Sequence, residues 1–394
     1  MRTRIAGPGQ AMRGTGSTGF KKRIALLMAM TAGLSACVPA ASGPAPRIQH
    51  ARVAPPRPMV TVPPPRPARP LPPSPPQSLV AAIDRLGASF AGDAGIAVMD
   101  IEQGWMIDHN GDRFYPQQSV SKLWVAITAL DAVDRGALKL SESRRVTSAD
   151  LTLFHQPIAA RIGANGFDTT YGELMMNALR MSDNTCNDIV LRRLGGPSAI
   201  REMISRKQLG AINFGNGERA LQSEIAGLEW RQDYAAGRGR GFYRARAALP
   251  MAERQAAMKR YLVRPMDGIT PTAMVTALSR LARGELLTQQ STSLLLRTMA
   301  ESRTGPQRLK GGLPVGWQLS HKTGTGQDLA GMVAGYNDVG IITAPGGHRY
   351  AVAVLIGNTR QGIPVRQELM QSVVRALVAT HQSSTIASIG STGG

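Results

Sequence analysis

The sequence predicts an α+β fold, in which a sheet is built from both ends of a globular region with a helical insert between. Three observations carry this. Two short strand-like runs, "GIAVMDI" and "GWMID", stand near the start of the region, joined by a Gln-Gly turn. Long helical patterns fill the middle, and after about residue 316 strand patterns return as "GWQLSHKTG", "GMVAGYNDVGIITA" and "RYAVAVLI".

Each element has its own signal. "SLVAAIDRLGASF" sets Leu79, Ile83 and Leu86 at helical spacing. In "FYPQQSVSKLWVAITALDAVDRG", Leu123, Ile127 and Leu130 form one apolar stripe and Gly136 is the terminator, which puts Ser119 at or just before a first helical turn. "TTYGELMMNAL" opens with Thr170 and Glu173 in capping-box positions, and "TCNDIVLRRLGG" ends on glycine. "ITPTAMVTALSRLARGEL" has Thr270 as N-cap, Pro271 at the first helical position and Gly284 past the end. A terminal helix near "PVRQELMQSVVRALVA" closes the domain, which spans residues 78–382, and residues 383–394 are expected to be a flexible tail.

The first quarter reads differently. Lys21, Lys22 and Arg23 precede the apolar run "IALLMAMTAGL" and then small residues before Cys37, the layout of a secretory signal over residues 1–36. That run is shorter than the roughly 20 residues needed to cross a bilayer. "LSAC" resembles the lipobox of bacterial lipoproteins, which implies lipidation of Cys37, with cleavage nearby, for example after "VPA", as the alternative. The expected location is therefore periplasmic, on a membrane anchor. Residues 37–77 hold more than half of the 26 prolines, and proline fixes φ and removes donors, so this segment is expected to be an extended tether.

Charge and cysteine usage narrow the classes. Of the net +20, six positive charges fall in the signal and five in the tether with no acid in either, so the globular part keeps +9. That suits anionic surroundings such as lipid head groups or wall polymers, and no nucleic-acid motif accompanies it. With Cys37 lipidated, Cys186 has no partner, so stability must come from a core and not from disulfides. A monomer is expected.

Ser119-Val120-Ser121-Lys122 places a serine and a lysine on one helical face, where the amine can reach the hydroxyl and the helix N-terminus favours developing negative charge. Alone, Ser-x-x-Lys is weak. "MSDN" adds Ser182-Asp183-Asn184, and "HKTGTG" adds Lys322-Thr323-Gly324 on the first returning strand. The three in this order resemble class A serine β-lactamases within the penicillin-binding-protein superfamily. "SDNTCNDIVLRRLGGP" and "KTGTGQDLAGMVAGYNDVGIITAP" extend the resemblance over nearly the whole globular part.

The resemblance implies a class A β-lactamase-like fold, with an antiparallel five-stranded sheet flanked by helices and a helical subdomain. It also implies roles. Ser119 is acylated, Lys122 shuttles its proton, and Ser182 passes that proton to the leaving nitrogen. Lys322 attracts an anionic group and, by its charge, helps keep Lys122 available as a base. Asn184 holds the side-chain amide of the substrate, Thr323 and Thr325 bind its carboxylate, and Gly324 lets it approach the strand. The backbone N–H groups of Ser119 and Thr325 form the oxyanion hole. No cofactor or metal is implied, and His321 reads as an ordinary strand residue.

Deacylation needs a further base. "NFGNGERALQSEIAG" offers Glu218, 36 residues past Ser182, with Gln222 where the family has an asparagine and Glu224 as fallback. Where class A enzymes commonly place an arginine, this chain has Tyr336, which leaves Arg366 as candidate counter-ion. Residues 224–268 form an arginine- and aromatic-rich insertion, expected to be a helical cap, with a wall-facing surface for glycan or peptide stems as the sharper hypothesis. The expected function is an exported serine β-lactamase acting on β-lactam amide bonds. The alternative is a D-Ala-D-Ala peptidase acting on peptidoglycan stem peptides.

Overall fold

A computed structural model of the chain describes Gly43 and residues 72–391. Residues 1–36, Cys37 and the tether up to Leu71 lie outside the described residues, as do residues 392–394. No helix among the described residues is long and apolar enough to cross a membrane.

Five strands form the main sheet: β1 (Gly92–Asp100), β2 (Met106–His109), β3 (Gln318–Thr325), β4 (Tyr336–Thr343) and β5 (Arg349–Thr359). Their order is β2-β1-β5-β4-β3 and every pairing is antiparallel, so the first and last strands of the chain lie side by side. Successive strand residues point to opposite faces. Ile96, Val98, Val352 and Val354 therefore meet Leu79 and Ile83 of α1 (Gln77–Ser89) and Met370, Val373 and Val374 of α11 (Ile363–Ser391). Ala97, Ala351, Ala353 and Leu355 face the other way, into the core of the helical insert. The alanines on that face leave room for α9 (Pro271–Ala282) to pack directly on β1 and β5.

That second core is centred on α2 (Lys122–Asp134), whose residues from Lys122 to Ala132 are all buried. Around it stand α3 (Tyr171–Arg180), α4 (Asn184–Arg193), α5 (Pro197–Arg206) and α10 (Gln289–Ala300). The sequence signals locate these ends. Thr270 caps α9 through Ala273 N, and Gly284 follows with φ 73°. Thr170 accepts from Glu173 N, but the Glu173 carboxylate turns to the hydroxyl of Thr169, so the return arm of the capping box is not made.

Residues 224–268 fold as the end of α6 (Glu218–Ile225), α7 (Ala236–Ala248) and α8 (Met251–Val263). Met258 and Tyr261 of α8 pack on Leu221 and Ile225 of α6. One expectation is corrected: α11 runs through residues 383–391 and does not stop near residue 382. No proline interrupts it, and the Ser383 and Ser384 hydroxyls donate back to the carbonyls of Ala379 and Thr380.

Candidate active site

Ser119 is half-buried in a 3₁₀ turn, Gln118–Ser121, that leads into α2. Lys122, the first residue of α2, is buried, and its Nζ lies 2.8 Å from Ser119 Oγ. A buried network fixes the turn. Gln118 is held at φ 53°, its N–H donates to Asp267 Oδ2 at 2.7 Å, and its side chain donates to Tyr261 Oη at 2.6 Å. Gln117 donates to the carbonyls of Asn213 and Asp267 and accepts from Trp124 Nε1. A non-glycine residue at positive φ is costly, and these contacts offset that cost.

The second hydroxyl arrives from another element. Ser182, at φ 58°, precedes Asp183, which caps α4 through Cys186 N and also accepts from Ile158 N. Lys322, fully buried on β3, donates to Ser182 Oγ at 2.9 Å and to Thr323 O at 2.8 Å. Burial pushes the Lys322 amine well below the ordinary lysine range, and the charges of Lys122 and Arg308 push it the same way.

Glu218 opens α6, where its N–H and that of Arg219 donate to the carboxylate of buried Asp188. Its own carboxylate is buried and in direct contact with Lys122 Nζ. Gln222, one turn on, donates to Glu218 Oε2 and to Gln118 Oε1, each at 3.3 Å. Gln327 in turn donates to Gln222 O at 2.7 Å. Glu224 is exposed and borders a different hollow beside Arg260, so it takes no part here.

Ser119 and Ser182 open on a cleft of about 510 Å³ whose walls also include Asn184, Gln222, Thr323 and Thr325, and Lys122, Lys322 and Glu218 lie buried behind the two hydroxyls. A larger hollow of about 850 Å³, between α5 and residues 264–266, contains none of them. Four groups from distant parts of the chain, two hydroxyls and two amines, are therefore joined with a carboxylate around one cavity.

Comparison with known proteins agrees with that arrangement. A family model described as "Beta-lactamase enzyme family" matches residues 78–381. The chain belongs to the β-lactamase enzyme family. It is 24% identical over 284 residues to beta-lactamase VEB-1 of Pseudomonas aeruginosa, covering 71% of this chain and 83% of that protein. Extended-spectrum beta-lactamase PER-1 of the same species is 29% identical over 262 residues, 66% of this chain and 73% of PER-1. Among solved structures, a beta-lactamase from Chitinophaga pinensis superposes with TM-score 0.63 at 25% identity, covering 77% of this chain and 99% of that one. A reconstructed ancestral class A beta-lactamase gives TM-score 0.62 at 26% identity, with the same coverage.

Against the family pattern, the carboxylate side of the cleft holds the main corrections. Arg366 donates to Gln361 O, and its guanidinium carbon lies 5.5 Å from the Tyr336 ring centre, away from the cleft lining. Arg308, by contrast, lines the cleft beside Thr325. Its guanidinium carbon lies 3.8 Å from the centre of the Tyr336 ring, Nη1 donates to the carbonyls of Gly324 and Asn337, and Nη2 reaches Thr325 Oγ1 at 2.5 Å. His321 is likewise more than a strand residue. Its Nδ1 lies 2.7 Å from Asp338 Oδ1, while Asp338 Oδ2 accepts from Leu309 N, which fixes the segment carrying Arg308.

Gly324 serves the fold before any ligand: a Cβ there would lie 2.3 Å from Gln117 O, so the glycine lets β3 press against the nucleophile turn. Asn184 donates to Leu153 O at 2.8 Å, and its Oδ1 is buried with no partner among the described residues.

Proposed function

We propose that the protein hydrolyses the amide bond of β-lactams through an acyl-enzyme on Ser119. Glu218 carries this reading. A buried carboxylate touching the amine that lies 2.8 Å from the nucleophile puts the acylating hydroxyl and a water-activating base in one proton network.

In acylation, Ser119 Oγ attacks the lactam carbonyl carbon and its proton passes to Lys122, 2.8 Å away. The charge on the carbonyl oxygen is met by the N–H groups of Ser119 and Thr325. As the C–N bond breaks, Ser182 gives its proton to the leaving nitrogen and is reprotonated from Lys322, 2.9 Å away, and Lys322 is recharged by the proton that Lys122 took, so that Glu218 stays ionised for deacylation. Asn184 Oδ1 accepts from the side-chain amide of the substrate, while Arg308, Thr323 and Thr325 bind its carboxylate. In deacylation, Glu218 removes a proton from water, the hydroxide attacks the ester carbonyl, and Ser119 regains its proton.

Turnover of a chromogenic cephalosporin tests the reading. Many turnovers per Ser119, and an adduct trapped by Glu218→Ala, are expected. One stoichiometric burst with a persistent adduct in the unaltered protein would transfer the site to D-Ala-D-Ala peptidase chemistry. Unaltered deacylation in Glu218→Ala would remove Glu218 from the mechanism.

The N-terminal pattern supports export of this activity on a lipid anchor at Cys37, with residues 37–77 as the tether. The mass of the mature N-terminus tests this, together with release of Cys37→Ser from membranes. An unmodified Cys37 in a membrane-free protein would end the anchor reading.

A further inference from the structure

The insertion at residues 224–268 supports the nucleophile turn through Tyr261 and Asp267 but is otherwise left unused by the catalytic reading, and its aromatic residues divide into two groups. Tyr234 and Phe242 are buried with Leu153 and Ala226, and Tyr261 is buried against α6. Tyr243, by contrast, is 51% exposed, and with Arg246, three residues on and so on the same helical face, it lines the catalytic cleft. Phe154 joins them from the opposite strand of chain, edge-on to Tyr243 with ring centres 6.1 Å apart. Phe154 is held at φ 60°, so its place in this wall is fixed against backbone preference.

Arg246 is charged in an unusual way for a surface arginine. Its Nη2 donates to Asp328 O at 2.8 Å, its Nε is buried with no hydrogen-bond partner, and no carboxylate within ion-pair distance balances it among the described residues. Burial and the nearby charge of Arg254 disfavour its protonated form and outweigh the opposing pull of Asp328. A partly desolvated guanidinium beside a like charge gains from an incoming anion. The ring carboxylate of penicillins and cephalosporins has a separate place in the proposed mechanism, at Arg308, Thr323 and Thr325. Arg246 lies past the end of β3, at Asp328, together with the aromatic wall.

We propose that Arg246, Tyr243 and Phe154 form a subsite for an acyl side chain bearing both an aromatic ring and a second carboxylate, so that dianionic β-lactams are the preferred class. This rests on Ser119 being acylated by β-lactams. The aromatic faces take the ring by edge or offset stacking, and the guanidinium takes the carboxylate through charge-assisted hydrogen bonds. Asp328 also lines this cleft, and its carboxylate opposes the same anion.

The test uses benzylpenicillin and α-carboxybenzylpenicillin, which differ by one carboxylate, with the full-length protein. The second-order rate constant for acylation of Ser119 is measured for both, in the unaltered protein and in Arg246→Ala, Arg246→Lys and Asp328→Asn. Arg246→Ala is expected to lower the ratio of dianionic to monoanionic rate roughly 10-fold, Arg246→Lys to restore part of it, and Asp328→Asn to raise it. High salt should narrow the ratio in the unaltered protein. Equal loss with both penicillins, or an unmoved ratio, would overturn the subsite. Should Arg246→Ala misfold, the opposite shifts expected of Arg246→Lys and Asp328→Asn still decide. Acylation by both without turnover would refute hydrolysis while leaving the ratio readable, and acylation by neither would refute both.

Discussion

Arg308 Nη2 and Thr325 Oγ1 meet at 2.5 Å, which joins a guanidinium from the segment before β3 to the last hydroxyl of that strand. The same arginine holds the carbonyls of Gly324 and Asn337 across β3 and β4. A positive charge in the cleft and support for the strand edge thus come from one side chain.

Arg308→Ala is therefore expected to raise KM for a chromogenic cephalosporin by roughly 10-fold or more, since a charge-assisted contact is lost. It should also cost about 1–3 kcal/mol in denaturant titration, because two buried carbonyls lose their donor. Arg308→Lys keeps the charge but not the planar fork, and should recover KM only in part. An unchanged KM in Arg308→Ala would move the counter-ion elsewhere.

Gln222 bridges Glu218 and Gln118, so its removal acts on the carboxylate's position. Gln222→Ala should slow deacylation roughly 10-fold, with a smaller effect on acylation, as pre-steady-state burst and steady-state phases will separate. Equal slowing of both phases would place Gln222 in support of the turn alone.

Lys322 must carry a proton to attract a carboxylate and to replenish Ser182, yet burial lowers its affinity for that proton. The alkaline limb of kcat/KM should accordingly fall at lower pH than an ordinary lysine would give, and Lys322→Arg should move that limb upward. A limb unchanged in Lys322→Arg would assign it to another group.

Burial raises the Asp267 carboxyl from 3.8 to about 6, against the hydrogen bonds from Tyr261 and Gln118 that lower it. A value above the ordinary one means the folded state favours protonated Asp267. Its contribution is fully present below the ordinary carboxylate value and is lost as pH rises through about 6. The loss amounts to roughly 3 kcal/mol for a shift of this size. Urea denaturation across that interval should show stability falling with pH, and Asp267→Asn should flatten the fall. A slope unaltered by the substitution would assign it to Asp183 or Asp188, whose carboxyls burial also raises.

The sheet and most helix ends were legible because they depend on local rules. Ile96/Ala97/Val98 alternate, and Thr270, Pro271 and Gly284 punctuate α9 by side chain and φ alone. Ser119, Lys122, Ser182 and Lys322 were legible because they sit in short motifs, whereas Glu218 was legible only through the family resemblance that those motifs carry. Arg308 was not, since "GPQRLKGG" has no pattern that marks one arginine, and only the packing of Tyr336 against it reveals its direction. His321 and Asp338 pair across β3 and β4, and Tyr261 and Asp267 pair with Gln118 from more than a hundred residues away. Contacts of that range follow from topology, which a linear reading of residue types does not contain.

Because β5 lies between β1 and β4, the sheet that carries Lys322 cannot close until the segment ending at Thr359 has been made. The strand with Lys322 is anchored in the sheet only through its neighbour Tyr336–Thr343, which itself needs β5 to join it to β1. A chain cut short before Thr359 is therefore expected to show no cephalosporin turnover even though every named catalytic side chain is present in it.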